Sequence, residues 1–135
     1  MHRQMLKSKI HRATVTDADP DYVGSITLDP ELIRVADLLA NEQVHVWDIA
    51  NGARFVTYVL EGEPGSGTVQ VNGAAALLVS PGDKVIVASF AAYDRDEVVD
   101  HSPIVVHVDD ENAISRVDSD PAVLLGSPLA SGALS

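Results

Sequence analysis

The sequence contains no cysteine among its 135 residues. Disulfide bonds, a thiol nucleophile and thiolate ligands for a metal ion are therefore excluded. Aromatic residues make up only 4% of the chain, so its hydrophobic core has to be built mainly from Val, Ile, Leu and Ala. A high content of such aliphatic residues is typical of a compact, β-rich domain.

Positive charge is also scarce in this chain. Nine Lys and Arg residues stand against 20 Asp and Glu residues, which gives a net charge of −11. Nucleic-acid binding depends on clustered Lys and Arg that neutralise phosphates, so we expect no nucleic-acid partner. No apolar run is long enough to cross a membrane, and the first residues lack the apolar segment of a secretion signal. We therefore expect a cytoplasmic protein without a membrane partner.

Several short apolar or alternating stretches predict strands that are joined by turns. Asn51 and Gly52 lie between two of these stretches and predict a β-hairpin. The segment 17–21, which contains Pro20, is expected to be a loop. The predicted strands cover approximately residues 6–15, 44–49, 54–60, 68–71, 85–90 and 104–108, and the last of these is expected to be the final strand.

Asp29, Pro30 and Glu31 predict the start of a helix, with Asp as the N-cap and Pro at the first helical position. Apolar residues follow at helical spacing, so we expect a short amphipathic helix that ends near Ala40. The residues of its apolar face are Leu32, Val35, Ala36 and Leu39. A second short helix is expected around residues 98–99.

A chain of this length forms one domain with one hydrophobic core. Many short strands with one or two short helices predict a mainly β fold, and specifically a small β-barrel. We expect this barrel domain to cover residues 1–117. Residues 118–135 are rich in Ser, Ala, Gly and Pro, and we expect them to form a poorly ordered C-terminal tail.

Two motifs resemble binding loops but lack essential residues. Acidic residues at alternate positions in 17–21 resemble the start of a calcium loop, yet Tyr22 replaces the sixth-position Gly and Leu28 the final Glu. The segment 62–67 has the glycines of a phosphate loop without the Lys and the Ser or Thr that bind phosphate and magnesium. The histidines show no close ligand spacing, and we expect His101, His107 and Asp109 to be surface residues. No metal site is therefore predicted.

The most informative short motif is Gly24-Ser25. A serine hydroxyl can attack the preceding carbonyl carbon most easily when that residue has no side chain to crowd it. Gly-Ser pairs are common, so the surrounding residues must decide. Five blocks, in this order and spacing, strongly resemble the aspartate 1-decarboxylase family over residues 1 to about 90: residues 5–12 (MLKSKIHR), 22–25 (YVGS), 51–58 (NGARFVTY), 71–76 (VNGAAA) and 82–90 (GDKVIVASF).

This resemblance implies both a fold and an activity. The fold is a double-psi β-barrel, usually assembled as a homotetramer. The chain is expected to cleave itself between Gly24 and Ser25, with or without a maturation factor, and to convert Ser25 into a covalent pyruvoyl group. That group would form a Schiff base with L-aspartate and accept electrons during its decarboxylation to β-alanine, for pantothenate and coenzyme A synthesis.

The resemblance also implies roles for individual residues. Self-cleavage needs a proton acceptor and hydrogen-bond donors for the developing oxyanion. In the later decarboxylation, Tyr58 is expected to donate a proton to the substrate. Arg54 shares the predicted strand face of Tyr58 and suits a carboxylate, and Lys9 is the second cation. The processing residues are Gly24, Ser25, Thr57, His11, Tyr22 and Asn72. The substrate-binding residues are Arg54, Thr57, Lys9, Gly73, Ala74 and Ala75.

Two alternatives remain open at the level of sequence. A pyruvoyl enzyme of this kind could decarboxylate another acidic amino acid such as glutamate, which a comparison of the two substrates would decide. The chain could instead be a β-barrel that never cleaves and serves as a binding module. An intact bond between Gly24 and Ser25 would distinguish this second alternative.

Overall fold

The computed structural model describes residues 1–122. Nine strands carry most of the ordered backbone: β1 His2–Thr14, β2 Asp17–Asp19, β3 Ser25–Leu28, β4 Gln43–Asp48, β5 Arg54–Glu61, β6 Val69–Asn72, β7 Lys84–Asp94, β8 Ile104–Val108 and β9 Ile114–Asp118. Helix α1 covers Pro30–Val35, α2 covers Arg95–Val99, and a 3₁₀ helix covers Gly73–Leu78. The predicted mainly β fold with short helices is confirmed.

The hairpin around Asn51-Gly52 joins β4 and β5 as predicted. The two strands pair antiparallel from Trp47 opposite Arg54 to Gln43 opposite Tyr58. Gly52 has a φ of 76°, a left-handed conformation that glycine adopts without steric cost. Its amide donates to the Asp48 carbonyl at 2.9 Å, so this turn sets the register of both strands.

The sheet closes into a barrel through β2. The strand order is β2-β6-β3-β5-β4-β7-β1-β8-β9, and β2 follows β1 after only two residues. In this order, β2 and β1 are the outer strands of the stretch formed by β1 to β7, and the short connection between them brings the two edges together. Thr16, in this connection, donates its amide to the Val69 carbonyl at 2.8 Å. The prediction of a loop over 17–21 is wrong for Asp17–Asp19, because these residues pair in parallel with β6.

The core lies inside this barrel and is aliphatic, as the composition predicts. Its fully buried side chains come from nearly every strand of the barrel and from α1, and include Ile10, Ile26, Leu28, Leu32, Val44, Val46, Val59, Val69, Val71, Val85 and Val87. Alternate residues of β3, β5 and β6 point into the core, so the residues between them face the opposite side of the sheet. That opposite side carries most of the predicted site.

Helix α1 begins as predicted but ends earlier. The Asp29 carboxylate accepts the Glu31 amide at 2.9 Å, and Pro30 occupies the first turn. The expected end near Ala40 is wrong, because Asp37 takes a left-handed φ of 55° and its amide donates to the Arg34 carbonyl. The next amide, of Leu38, donates to the Ile33 carbonyl at 2.9 Å. These two bonds form a Schellman motif that terminates the helix.

The C-terminal part of the described chain extends the sheet beyond the prediction. Strand β8 matches the expected strand 104–108, but β9 follows it and pairs antiparallel with it, so the prediction that β8 is the final strand is wrong. Helix α2 lies where a second short helix was expected. Most of the predicted tail, residues 123–135, lies outside the described residues. No helix in residues 1–122 is long and apolar enough to span a membrane.

Candidate active site

Ser25 is the first residue of β3 and its side chain is completely buried. Ile26 faces the core, so Ser25 and Thr27 point to the opposite face of the strand. Ser25 pairs with Asn72 of β6. Continuing the parallel register of β3 and β5, in which Ile26 pairs with Val59, places Ser25 level with Tyr58.

Asn72 is the side chain that holds the Ser25 hydroxyl. The Asn72 Nδ2 donates to Ser25 Oγ at 2.9 Å and to Thr27 Oγ1 at 3.0 Å. Ser25 Oγ in turn donates to the Val23 carbonyl oxygen at 3.2 Å. Asn72 is fully buried, and an amide donor stabilises negative charge that develops on an oxygen more strongly in a buried site.

Gly73 lets the two backbone segments meet at the predicted cleavage point. A Cβ on Gly73 would lie 2.5 Å from the Gly24 Cα and 2.9 Å from the Gly24 nitrogen, which no side chain allows. Gly73 also has a φ of 73°. The residue after Asn72 therefore has to be glycine for β6 to pass this close to Gly24.

Thr57 and Tyr22, two more of the predicted processing residues, lie near the same point. One step further along the register of β3 and β5 places Thr57 level with Gly24. Tyr22 precedes the cleavage point in an exposed turn, with 52% of its side chain accessible. Ala74 and Ala75 begin the 3₁₀ helix directly after Asn72-Gly73, where Ala74 is exposed and Ala75 half-buried.

Arg54 and Tyr58 share one face of β5, as the alternation predicts. Arg54 is exposed, and its Cζ lies 4.6 Å from the centre of the Trp47 ring across the hairpin. None of the ion pairs within residues 1–122 involves Arg54, so its charge is free of carboxylate partners in this part of the chain. About 13 Å of strand separates Arg54 from Tyr58.

Comparisons with known proteins identify the family of this chain. The family model described as aspartate decarboxylase matches residues 1–115. The chain belongs to the aspartate decarboxylase family.

Relatives named aspartate 1-decarboxylase resemble this chain over most of both lengths. The protein of Mycolicibacterium smegmatis is 58% identical over 122 residues, which are 90% of each chain. That of Acetivibrio thermocellus is 53% identical over 116 residues, 86% of this chain and 92% of the relative. The crystal structure of a rationally designed protein, mkDPBB_sym_86, covers 62% of this chain and 91% of the design at 27% identity, with a TM-score of 0.45.

Two residues predicted for the aspartate decarboxylase site lie elsewhere in the fold. Lys9 and His11 are on β1, and β7, β4 and β5 separate this strand from β3 along the sheet. Lys9 Nζ donates to the Pro121 carbonyl at 3.1 Å. Burial lowers the pKa of Lys9, and the nearby Asp118 carboxylate offsets part of this effect.

His11 is a neutral side chain in this environment. Burial, followed by the positive charges of Lys9, His107 and Arg12, lowers the pKa of His11 to about 4. Neither ring nitrogen of His11 has a hydrogen-bond partner among residues 1–122. The single chain thus brings Ser25 to Asn72 and Gly73 but leaves Lys9 and His11 apart from it.

His107 corrects another expectation, since it was predicted to be a surface residue. Only 4% of it is exposed, and its Nε2 lies 2.9 Å from Asp118 Oδ2. Its ring packs edge-on against His11 with the centres 5.6 Å apart. The pairing of β1 with β8 places these two histidines side by side.

One group of potential metal ligands occurs in the described part of the chain. His2, Asp94 and Glu97 place ligand atoms within 4.8 Å of one another on the surface. Asp94 and Glu97 already use a carboxylate oxygen each to cap α2. The candidate site at Ser25 contains none of these residues.

Sequence reasoning missed two residues beside Ser25. Thr27 accepts a hydrogen bond from Asn72, and Gln70 Nε2 donates to Asn72 Oδ1 at 2.8 Å. The alternation of β6, in which Val69 and Val71 are core residues, was the available signal. It places Gln70 on the face of Asn72, but only the pairing of β3 with β6 shows which residues this face meets.

Proposed function

We propose that this chain decarboxylates L-aspartate to β-alanine and CO2, using a pyruvoyl group that it makes from Ser25. The observation that carries the proposal is the fully buried Ser25 hydroxyl, which directly follows a glycine and accepts a hydrogen bond from Asn72. In a chain of the aspartate decarboxylase family, this arrangement supports a serine that reacts with its own backbone.

Cleavage begins when Ser25 Oγ attacks the Gly24 carbonyl carbon. A C–O bond forms and the C–N bond breaks, so the amide becomes an ester and the Ser25 nitrogen a free amine. Loss of the Ser25 α-proton then breaks the bond between Cβ and Oγ, which releases residues 1–24 with a C-terminal carboxylate. Water replaces the nitrogen of the remaining dehydroalanine, and ammonia leaves.

Two described features assist this reaction. Gly24 has no side chain beside the attacking oxygen of Ser25. Asn72 donates to Oγ and stabilises the charge that appears as the hydroxyl loses its proton. We assign Thr57, level with Gly24, and Tyr22, just before it, to the processing step together with these residues.

The residues around Ser25 also fit the pyruvoyl group. The group is small and neutral, and it would occupy the buried space of the serine side chain, beside the Asn72 donor and the backbone of Gly73. When present, its carbonyl condenses with an amine and accepts the electrons released on decarboxylation. We assign to Tyr58, level with Ser25 on β5, the proton that the α-carbon of the substrate requires.

Binding of aspartate is assigned to Arg54 and to small residues near Ser25. Arg54 has no carboxylate partner in the described chain and can receive one in bidentate fashion. Thr57, Gly73, Ala74 and Ala75 are assigned to substrate binding together with it. A cation favours a dicarboxylate such as aspartate, and glutamate is the second substrate to be tested.

We propose a homotetramer as the working assembly. Lys9 and His11 lie on a different part of the barrel from Ser25, so their predicted roles require a second copy to bring them to that serine. Val56 and Phe90 are large apolar residues with 51% and 38% of their surface exposed, which suits burial against another copy. A cytoplasmic enzyme supplying β-alanine for pantothenate and coenzyme A synthesis is the corresponding cellular role.

Intact mass spectrometry of the purified protein tests this proposal. We expect fragments 1–24 and 25–135, with the larger one lighter by one ammonia than simple hydrolysis would give. Ser25→Ala should remain a single chain without activity, and a hydrazide that reacts with carbonyls should label only the larger wild-type fragment. A wild-type chain that stays intact with or without cellular factors would favour the binding-module alternative. Cleavage followed by faster turnover of glutamate than of aspartate would change only the proposed substrate and leave the proposed cofactor in place.

A further inference from the structure

Gln70 belongs to a block of four polar side chains at the cleavage point. Strands β3 and β6 pair antiparallel, with Ser25 opposite Asn72 and Thr27 opposite Gln70. All four side chains share the face that points away from the core, because Val69 and Val71 fill the core side of β6. Gln70 therefore lies beside the residue that contacts the nucleophile, without contacting the nucleophile itself.

The direction of the Asn72 amide matters for the reactivity of Ser25. Rotating an Asn amide by half a turn exchanges its oxygen and nitrogen with little change in shape. With nitrogen toward Ser25, the amide donates to Oγ and stabilises it as it loses its proton. With oxygen toward Ser25, the amide would accept a hydrogen bond from the hydroxyl. This bond stabilises the protonated hydroxyl and opposes the loss of its proton.

Gln70 pairs with the first of these two orientations. Its Nε2 donates to the Asn72 Oδ1 at 2.8 Å. The Asn72 nitrogen is thereby directed to the other side, where it donates to Ser25 Oγ at 2.9 Å and Thr27 Oγ1 at 3.0 Å. Both N–H donors of this buried amide are then in use, and its oxygen accepts one hydrogen bond.

We propose that Gln70 is a positioning residue for self-cleavage, which acts by holding the Asn72 amide with its nitrogen on the Ser25 hydroxyl. This inference rests on the proposed function and goes further, because it names a residue outside the predicted set that determines the cleavage rate. Gln70 itself is half-buried and touches neither the scissile bond nor the substrate site.

The decisive variant is Gln70→Glu, which keeps the shape but replaces the donor by a carboxylate. The carboxylate repels the Asn72 oxygen, so the amide turns and presents its oxygen to Ser25. We expect cleavage of freshly purified precursor to become about tenfold to a hundredfold slower at neutral pH. The readout is the time course of fragments 1–24 and 25–135 by mass spectrometry.

The pH dependence of the same variant separates positioning from packing. A protonated Glu carries an O–H donor and can replace the Gln amide. The cleavage rate of Gln70→Glu relative to wild type should therefore rise as the pH is lowered from about 7 to about 5, toward the pKa of a carboxyl group. Because the cleavage rates of the same variant are compared at different pH values, a general loss of stability would not produce this rise.

Two further variants serve as matched controls. Gln70→Lys keeps only donors and should cleave at close to the wild-type rate, while Gln70→Met has neither donor nor acceptor and should lie between Lys and Glu. A role limited to packing would reverse this order, because Glu is the closest isostere of Gln. The unfolding midpoint of each variant identifies any that fail to fold.

Neutral-pH cleavage of Gln70→Glu at the wild-type rate would overturn this inference and leave the proposed function intact. So would a slow rate that does not recover at lower pH, or a Met variant slower than the Glu variant. If the wild-type chain itself does not cleave, with or without cellular factors, the proposed function and the role of Gln70 fall together.

Discussion

The close approach of Gly73 to Gly24 makes a sharp prediction for Gly73→Ala. The added Cβ would lie 2.5 Å from the Gly24 Cα, where ordinary contacts begin at 3.4 Å. Both neighbours are backbone atoms, so one segment must move by about 0.9 Å or more. In addition, an alanine would have to adopt the left-handed φ of 73°.

These two effects can be given separate magnitudes. A left-handed conformation costs a non-glycine residue about 1–2 kcal/mol, and forcing extra atoms into a packed site costs about 1–3 kcal/mol. Gly73→Ala should therefore lower the free energy of unfolding by about 2–5 kcal/mol. Gly52→Ala is the matched control, because Gly52 has a φ of 76° but nothing within 4 Å of its Cβ position. It should lose only about 1–2 kcal/mol.

Urea unfolding of both variants in a Ser25→Ala background measures these losses without interference from cleavage. With Ser25 restored, Gly52→Ala should cleave normally, and Gly73→Ala should cleave at least about tenfold more slowly because Gly24 is displaced from the attacking oxygen. Equal unfolding free energies for the two variants, together with equal cleavage rates, would refute the claim that backbone contact at Gly73 shapes the site.

Three other predictions concern separate parts of the chain. Tyr58→Phe should cleave normally but turn over at least about a hundredfold more slowly, since it loses a proton donor; unchanged kcat would remove Tyr58 from this role. Because the pKa of His11 is lowered to about 4, the unfolded state binds more protons below the ordinary value of 6.5. Stability should thus fall by about 1–2 kcal/mol, after allowance for solvent screening, as the pH drops from about 6.5 to about 4. His11→Gln should lack this component in urea titrations, and superimposable pH curves would contradict it. Asp29→Ala removes the acceptor of three backbone amides, those of Glu31, Gly65 and Gly67, and should cost about 2–4 kcal/mol in thermal unfolding, with Asp29→Asn intermediate.

Local signals in the sequence predicted the elements that depend on neighbouring residues. Asn51-Gly52 predicted the hairpin, and Asp29-Pro30 predicted the first turn of α1, because turn and cap geometry is decided within a few residues. The end of α1 was missed for the same kind of reason. Its Schellman motif has Asp37 where a glycine is usual, so the sequence lacks the residue that normally signals this stop.

Elements that depend on distant partners were harder to predict. Asp17–Asp19 has the composition of a solvated loop, and it is a strand because β6 offers it a free edge. Strand β9 likewise exists because β8 pairs with it. His107 was expected at the surface and is buried because β1 and β9 cover it on either side.

The sequence by itself determined the family, the candidate Gly24-Ser25 pair and the aliphatic, mainly β character of the domain. These follow from residue types, their order and their local spacing. Only the tertiary structure decided what surrounds Ser25. Asn72 reaches its hydroxyl through the pairing of β6 with β3, although the two residues are 47 positions apart in the sequence. Gln70 contacts Asn72, and Gly73 lies against Gly24. Side-chain periodicity gives the face of a strand, but not the strand that lies beside it.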